Sequence, residues 1–248
     1  MGATIQSLER GLVILDILAK AGKPLSLNEI SVHFSIDRSS VFRLVSTLLK
    51  CGYVIQHSVT KQYSLGYKVL ELSGALTSQS HIDDLIKPLM RRILEATHQN
   101  THLAALDGDQ VVFLAVEQPK DHLALNITVG SREPSVVTAL GKSLLAFQDE
   151  ENLDRILEQY EFIKYTERSI RSVSQLKKNL QQVKKELVAV DDEEYRTGIV
   201  CIAAPVFDHN KKVRYSIGIT GLRDIVKPYQ KEYQEIVKQA GIEASRLF

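Results

Sequence analysis

The apolar period of the chain changes abruptly near residue 53, and this change constrains the fold more than any other feature. Up to Lys50 the hydrophobic residues recur at helical spacing. Leu8, Leu12, Leu15 and Leu18 mark a helix over residues 7–21, with Gly22 and Pro24 just beyond it. Ser26-Leu27-Asn28-Glu29 is a capping box, in which hydroxyl and carboxylate each satisfy a backbone N–H of the first turn. It predicts a short helix running to Phe34. Asp37 caps a third helix to Lys50, stopped near Gly52 and carrying Val41, Leu44, Val45 and Leu48 on one face. Then Tyr53–His57 and Gln62–Leu65 turn short, aromatic and β-branched. Ser58-Val59-Thr60-Lys61 separates them, which predicts a two-stranded hairpin.

Beyond residue 66 the pattern is longer and mixed. A helix is expected over residues 66–76, with Thr77-Ser78-Gln79-Ser80 as the linker, then an amphipathic helix over Ile82–Thr97 containing Pro88. Strand runs at His102–Leu106 and Val111–Val116 flank Asp107-Gly108-Asp109-Gln110, a hairpin signal. His122–Val129 is a third strand candidate. Helical runs at residues 141–147, 152–160 and 173–187 precede strands at Ile199–Phe207 and Val213–Leu222, and a helix over residues 229–247 closes the chain. Hairpin-linked strands mixed with helices predict an α+β fold with an antiparallel sheet.

Composition narrows the function classes. The formal net charge of +1 gives no overall basic field. Residues 1–75 nevertheless hold eight Lys or Arg against five Asp or Glu, leaving 23 against 25 for the rest. A mildly basic module is thus joined to a mildly acidic one. No run of about 18 apolar residues occurs, which excludes a membrane-spanning helix. The first ten residues lack a basic segment followed by an apolar one, so no secretory signal is expected. Cys51 and Cys201 stand far apart without a CxxC, so no cysteine zinc site or disulfide framework is expected, and a reducing cytoplasm fits.

A capped helix, a short turn, a second helix and a hairpin together describe a winged helix-turn-helix. The second helix of such a pair buries one face and offers the other to a DNA major groove. Here the offered set is Arg38, Ser39, Ser40, Arg43, Ser46 and Thr47, with Lys61 near the hairpin tip positioned for the neighbouring backbone. Ser and Thr hydroxyls suit phosphates or base edges, and Arg43 suits a phosphate or a guanine. The alternative is a solvated polar face with no partner. Phe42 is read as core under the hairpin, with a thymine methyl contact as its alternative.

Ser7-Leu8-Glu9-Arg10-Gly11-Leu12, Arg38-Ser39-Ser40-Val41-Phe42-Arg43-Leu44, Gly52-Tyr53-Val54 and Tyr63-Ser64-Leu65-Gly66 resemble the N-terminal domain of IclR-type bacterial transcriptional regulators. Thr138-Ala139-Leu140-Gly141-Lys142-Ser143, Val190-Asp191-Asp192-Glu193-Glu194-Tyr195-Arg196 and Cys201–Asp208 continue the resemblance in the same order. It implies a winged helix-turn-helix over residues 1–66, a linker helix over 67–80 and a GAF-like effector-binding and oligomerisation domain over 81–248. It also implies a ligand-responsive regulator, a homodimer or dimer of dimers, on a double-stranded operator. The implied effector contacts are Ala139, Leu140, Gly141, Asp191, Cys201, Gly218 and Thr220. Some members carry a hydroxyl where this chain has Gly218, which implies a missing donor and more room. Leu187 stands where many members have glycine.

Local chemistry bears on several of these positions. A helix opening at Gly141-Lys142-Ser143 has unpaired N–H groups suited to a carboxylate, which makes a small carboxylic acid the expected effector. Cys201 is equally a small buried apolar residue. Asp191 is equally part of a solvated acidic turn, and Arg196 is as well matched to Asp192 or Glu193 as to a ligand. Enzyme motifs are missing. A Walker A loop ending at Gly141-Lys142-Ser143 needs a glycine where Val136 stands, and no GxSxG, HExxH or GxGxxG occurs. Neither a catalytic residue, a metal site nor a cofactor is therefore expected. The alternatives carried are an enzyme or a non-regulatory ligand-binding protein built on the second domain.

Overall fold

The computed structural model describes residues 4–80, 85–119, 127–158 and 160–248. The chain divides into two compact units, residues 1–80 and 81–248. In the first, α1 (Gln6–Ala21), α2 (Leu27–Ser31) and α3 (Arg38–Lys50) are followed by the hairpin β1 (Val54–Gln56) and β2 (Tyr63–Leu65), then α4 (Lys68–Ser80). The predicted caps form. The Ser26 N–H donates to Glu29 Oε2 at 2.7 Å, and the Glu29 N–H donates back to Ser26 Oγ at 3.3 Å. The Ser40 N–H donates to Asp37 Oδ1 at 2.9 Å. Gly22, at φ +60°, ends α1 in the left-handed turn that glycine accepts without strain. Ile14 and Leu18 pack with Ile30, Val41, Val45, Val54 and Tyr63, so three short helices and the hairpin share one core.

Two boundaries differ from expectation. The short second helix ends at Ser31. The expected linker Thr77–Ser80 continues α4, because its small polar residues do not stop a helix that lacks Gly or Pro at that point.

The second unit opens with α5 (Lys87–Thr97), where Pro88 occupies the first turn and its missing N–H breaks no helical bond. It continues with β3 (Asn100–Asp107), β4 (Gln110–Glu117), β5 (Arg132–Pro134), α6 (Ala139–Leu145), α7 (Glu150–Glu158), α8 (Val173–Glu186), β6 (Ala189–Asp192), β7 (Ile199–Phe207), β8 (Val213–Leu222), α9 (Arg223–Val226) and α10 (Gln230–Ala244). The six strands form one sheet in the order β5-β4-β3-β8-β7-β6, with every neighbour antiparallel. One face, with Leu103, Ile202, Ile217 and Ile219, packs under Met90 and Ile93 of α5 and Val237 of α10. The other, with Ala104, Phe113, Ala189 and Ala203, packs under Leu144 of α6 and Leu176 and Leu180 of α8.

The strands β5 and β6 were not anticipated. β6 ends in an acidic run that reads as a turn until its pairing with β7 is seen. Of the candidate strand His122–Val129, residues 122–126 lie outside the described residues, and 127–129 are not strand. Leu187 caps α8 at φ +59°, so the glycine-like turn is kept by a leucine.

Candidate functional site

In the first unit α3 is buried through Val41 and Val45, while Arg38, Ser39, Arg43 and Thr47 are exposed and Ser40 and Ser46 half-buried. Lys61 stands at the hairpin tip at φ +57°, its carbonyl accepting from Gln56 Nε2 at 3.0 Å. Arg38, Ser39, Phe42, Gln56 and Lys61 line one open cleft between α3 and the hairpin. Phe42 is therefore not core. It is 50% exposed, because the hairpin strands are only three residues long and Tyr63 fills the space beneath them.

The hydroxyls also differ from expectation. Ser39 and Ser40 donate to the Asp37 carboxylate, at 2.5 and 2.7 Å, and Thr47 donates to the Arg43 carbonyl at 2.9 Å. These bonds hold the Asp37 carboxyl well below the ordinary carboxylate range. The outward donors of this face are consequently the guanidinium groups of Arg38 and Arg43 and the Lys61 ammonium. Arg43 is steered by one bond to Ser40 Oγ, at 3.1 Å.

In the second unit, Asp191, Cys201 and Thr220 come together, lining a small cavity with Ile127, Glu133, Tyr195, Arg196 and Ile199. It encloses about 20 Å³, room for one water. The acidic run beside it is a lattice of ion pairs, not a solvated turn. Asp191 Oδ1 accepts the N–H groups of Glu194 and Tyr195, at 2.7 and 3.4 Å. Asp192 pairs with Arg168 and Lys227, each at 2.8 Å, and Glu193 pairs with Arg223 at 3.0 Å. The turn is pinned from outside by Thr166 and Ser169, whose hydroxyls donate to the carbonyls of Glu193 and Glu194. Arg196 pairs with neither Asp192 nor Glu193. It reaches Glu133 at 3.1 Å and lies over the Tyr195 ring.

Lys142 is a functional candidate that sequence reasoning missed. Its side chain is fully buried, and its ammonium donates to the Val190 carbonyl at 2.6 Å and to Glu194 Oε1 at 2.5 Å. Burial pushes the carboxyls of both Asp191 and Glu194 up, and Lys142 opposes this in each case. Asp191 reaches about 7. Burial likewise raises the Cys201 thiol, whose sulfur accepts from the Thr220 hydroxyl at 3.3 Å.

The other sequence-predicted positions do not line the cavity. Ala139 and Leu140 are core residues of α6. The Gly141 N–H is taken by Thr138 Oγ1 at 3.3 Å, and a Cβ on Gly141 would fall 2.1 Å from the Ser135 carbonyl oxygen. Thus Gly141 serves close packing, and its amide is not open to an anion. Gly218 gives no extra room either, since a Cβ there would lie 2.5 Å from the Ile202 carbonyl oxygen. A larger open cleft, about 700 Å³, lies beside Leu144, Asn152 and Arg214 and contains none of the predicted residues. No group of three or more His, Cys, Asp or Glu side chains among the described residues is placed to hold a metal.

A winged helix-turn-helix joined to a ligand-cavity α+β unit defines a one-component, helix-turn-helix transcriptional regulator. Residues 7–58 match the IclR helix-turn-helix domain and residues 74–246 match the bacterial transcriptional regulator IclR C-terminal domain, so the chain belongs to the IclR family of regulators. It is 30% identical over 243 residues to the HTH-type transcriptional regulator XynR of Escherichia coli K12, covering 98% of this chain and 96% of XynR. It is 35% identical over 216 residues to KdgR of the same strain, covering 85% and 79% of the two chains. The crystal structure of Thermotoga maritima IclR matches with a TM-score of 0.77 at 28% identity, over 98% of each chain. No described helix is long and apolar enough to cross a membrane.

Proposed function

We propose that this chain is a cytoplasmic, non-enzymatic regulator that binds its operator as a homodimer or dimer of dimers. Its operator affinity changes when a small carboxylic acid enters the cavity lined by Asp191, Cys201 and Thr220. The observation that carries the DNA side of this reading is α3 itself. One face is locked into the core while Arg38 and Arg43 stand exposed on the other, beside a hairpin carrying Lys61. Such a helix in a major groove contacts base edges from its N-terminal turns, and the hairpin reaches the adjacent backbone. The homodimer reading is supported by apolar side chains left outside the core, with Ile5 at the N-cap of α1, Leu8 and Leu12 on α1, and Leu70 and Leu76 on α4 all exposed. Paired recognition helices would address half-sites about 34 Å apart.

The effector acts by population shift. A cavity of about 20 Å³ is too small for a carboxylic acid, so binding selects an opened arrangement, and operator affinity follows whichever dimer geometry that arrangement favours. The test is a footprint on DNA flanking the chain's own coding region, repeated with a panel of small carboxylic acids. A specific, salt-dependent footprint that one acid shifts is expected. Turnover of a panel acid without DNA, or protection without sequence preference, overturns the reading. Within the same assay Arg43→Ala is expected to cost about 1–3 kcal/mol and to relax preference at one base position. A uniform loss across sequences makes Arg43 a phosphate contact, and no loss removes it from the interface.

A further inference from the structure

His102, on β3, is 1% exposed, and neither of its ring nitrogens has a hydrogen-bond partner among the described residues. Its ring meets Phe113 edge-on, with centroids 5.3 Å apart. Burial pushes its pKa down to about 3, so the ring is neutral and presents one N–H donor and one acceptor nitrogen. A phenylalanine would fill this space without stranding two polar atoms. A buried, neutral and unsatisfied imidazole calls for a partner that arrives from elsewhere.

Strand register sets that imidazole beside the cavity. Asp191, Cys201, Thr220 and Asn100 are successive cross-strand partners and form one row over β6, β7, β8 and β3. The next row on the same face is Ala189, Ala203, Gly218 and His102. Three residues of the first row, Asp191, Cys201 and Thr220, already line the cavity. His102 is the diagonal neighbour of Thr220, about 7–8 Å away between backbones. The rest of His102's own row is Gly218, Ala203 and, on β6 itself, Ala189, so no bulky side chain of that row separates the ring from the cavity wall. The buried Asn100 Oδ1, also without a partner, adjoins it in the first row.

We propose that His102 is a specificity residue of the effector site, reading a hydroxyl that the effector carries at the end remote from its carboxylate, and that the effector class is therefore a hydroxycarboxylic acid. The proposal rests on the reading of the Asp191–Cys201–Thr220 cavity as that site. The carboxylate belongs on the side of the cavity bearing Arg196, since no cation adjoins His102 in either row. A hydroxyl can donate to the bare ring nitrogen or accept from the ring N–H without bringing a charge into this apolar site, whereas a second carboxylate would be buried there without a counter-charge.

The test uses the full-length protein and a matched pair of probes, hexanoate and 6-hydroxyhexanoate, with binding followed by calorimetry. The wild type is expected to prefer the hydroxylated acid by about tenfold, the worth of one buried hydrogen bond. In His102→Phe that preference should shrink to within about twofold while hexanoate binding is retained. An unchanged preference in His102→Phe overturns the proposal, as does failure of both acids to bind the wild type. Thr220→Val separates the two readings. If it weakens both acids while His102→Phe leaves the preference intact, only the role of His102 falls. If Thr220→Val changes neither, the effector cavity itself is misassigned. Isotope-labelled histidine in the unmutated protein gives an independent readout. The His102 ring resonances should move on saturation with 6-hydroxyhexanoate and not with hexanoate, and identical spectra for the two overturn the proposal.

Discussion

Asp191 is held by two influences that pull against each other. Two backbone N–H groups and the Lys142 ammonium favour its ionised form, and burial at 2% exposure disfavours it more strongly. The outcome is a carboxyl raised from 3.8 to about 7. The sign for stability follows directly. A carboxyl that is harder to ionise in the folded chain than in the unfolded one contributes fully at pH below 3.8. That contribution is lost as pH rises through about 7, because the unfolded chain gives up its proton first. The loss is on the order of 4 kcal/mol. Asp191→Asn keeps an acceptor for the two N–H groups and removes the titration. Chemical denaturation from acid to mildly alkaline pH should therefore show a shallower decline for Asp191→Asn than for the wild type, and parallel profiles would discard this account. If the effector enters this cavity as proposed, a group that titrates near neutrality in its wall makes binding sensitive to pH in the same range.

Among the elements, α6 ties the cavity to the rest of its unit. All seven of its residues are buried, and from it Lys142 crosses to Glu194, 52 residues further along, and to the Val190 carbonyl of β6. Two carboxyls, Asp191 and Glu194, therefore depend on one buried cation. Lys142→Met should cost about 3–5 kcal/mol in urea denaturation, because it strands both acids without a counter-charge. Adding Glu194→Leu should recover part of that loss, since it replaces one of the two stranded acids by an apolar contact. A double variant no more stable than Lys142→Met would show that the bond to Val190, not the ion pair, matters. Lys142 also shows where sequence reasoning stops. The helix was expected from Gly141, two residues after its start at Ala139, and burial of its lysine depends on an acid that only the closed sheet brings near. Elements whose signals are local were read well. The Ser26 and Asp37 caps, the Gly108 turn, and β7 and β8 follow from residues within a few positions of one another. Those fixed by tertiary pairing were not. β6 lies in an acidic run whose charges are neutralised by Arg168, Lys227, Arg223 and Lys142 from distant segments. The polar row reaching His102 is set by cross-strand register, and Phe42 was misplaced because hairpin length decides what it covers.

For the molecule as a whole, the proposed operator recognition uses two copies of α3, and the first unit carries a surface suited to pairing them. On α1 the buried side is Gly11, Ile14 and Leu18, while Leu8 and Leu12, one turn apart, are exposed at 61% and 55%, with exposed Ile5 preceding them at the N-cap. An exposed leucine alone means little, but an apolar stripe continued from the cap along the helix is what a self-complementary twofold contact uses. If that stripe pairs the DNA-binding units, Leu8→Asp with Leu12→Asp should uncouple them without unfolding the unit, since neither residue belongs to its core. Each half-site would then be bound separately, and operator affinity should fall by about 100-fold or more through loss of effective concentration. Affinity for an isolated half-site should stay near the wild-type value, because Arg38, Arg43 and Lys61 are untouched. Sedimentation and titration on full and half operators measure both quantities. Equal losses on full and half sites would place the stripe in contact with DNA or the unit's own fold, and an unchanged full-site affinity would move the pairing surface elsewhere on the chain.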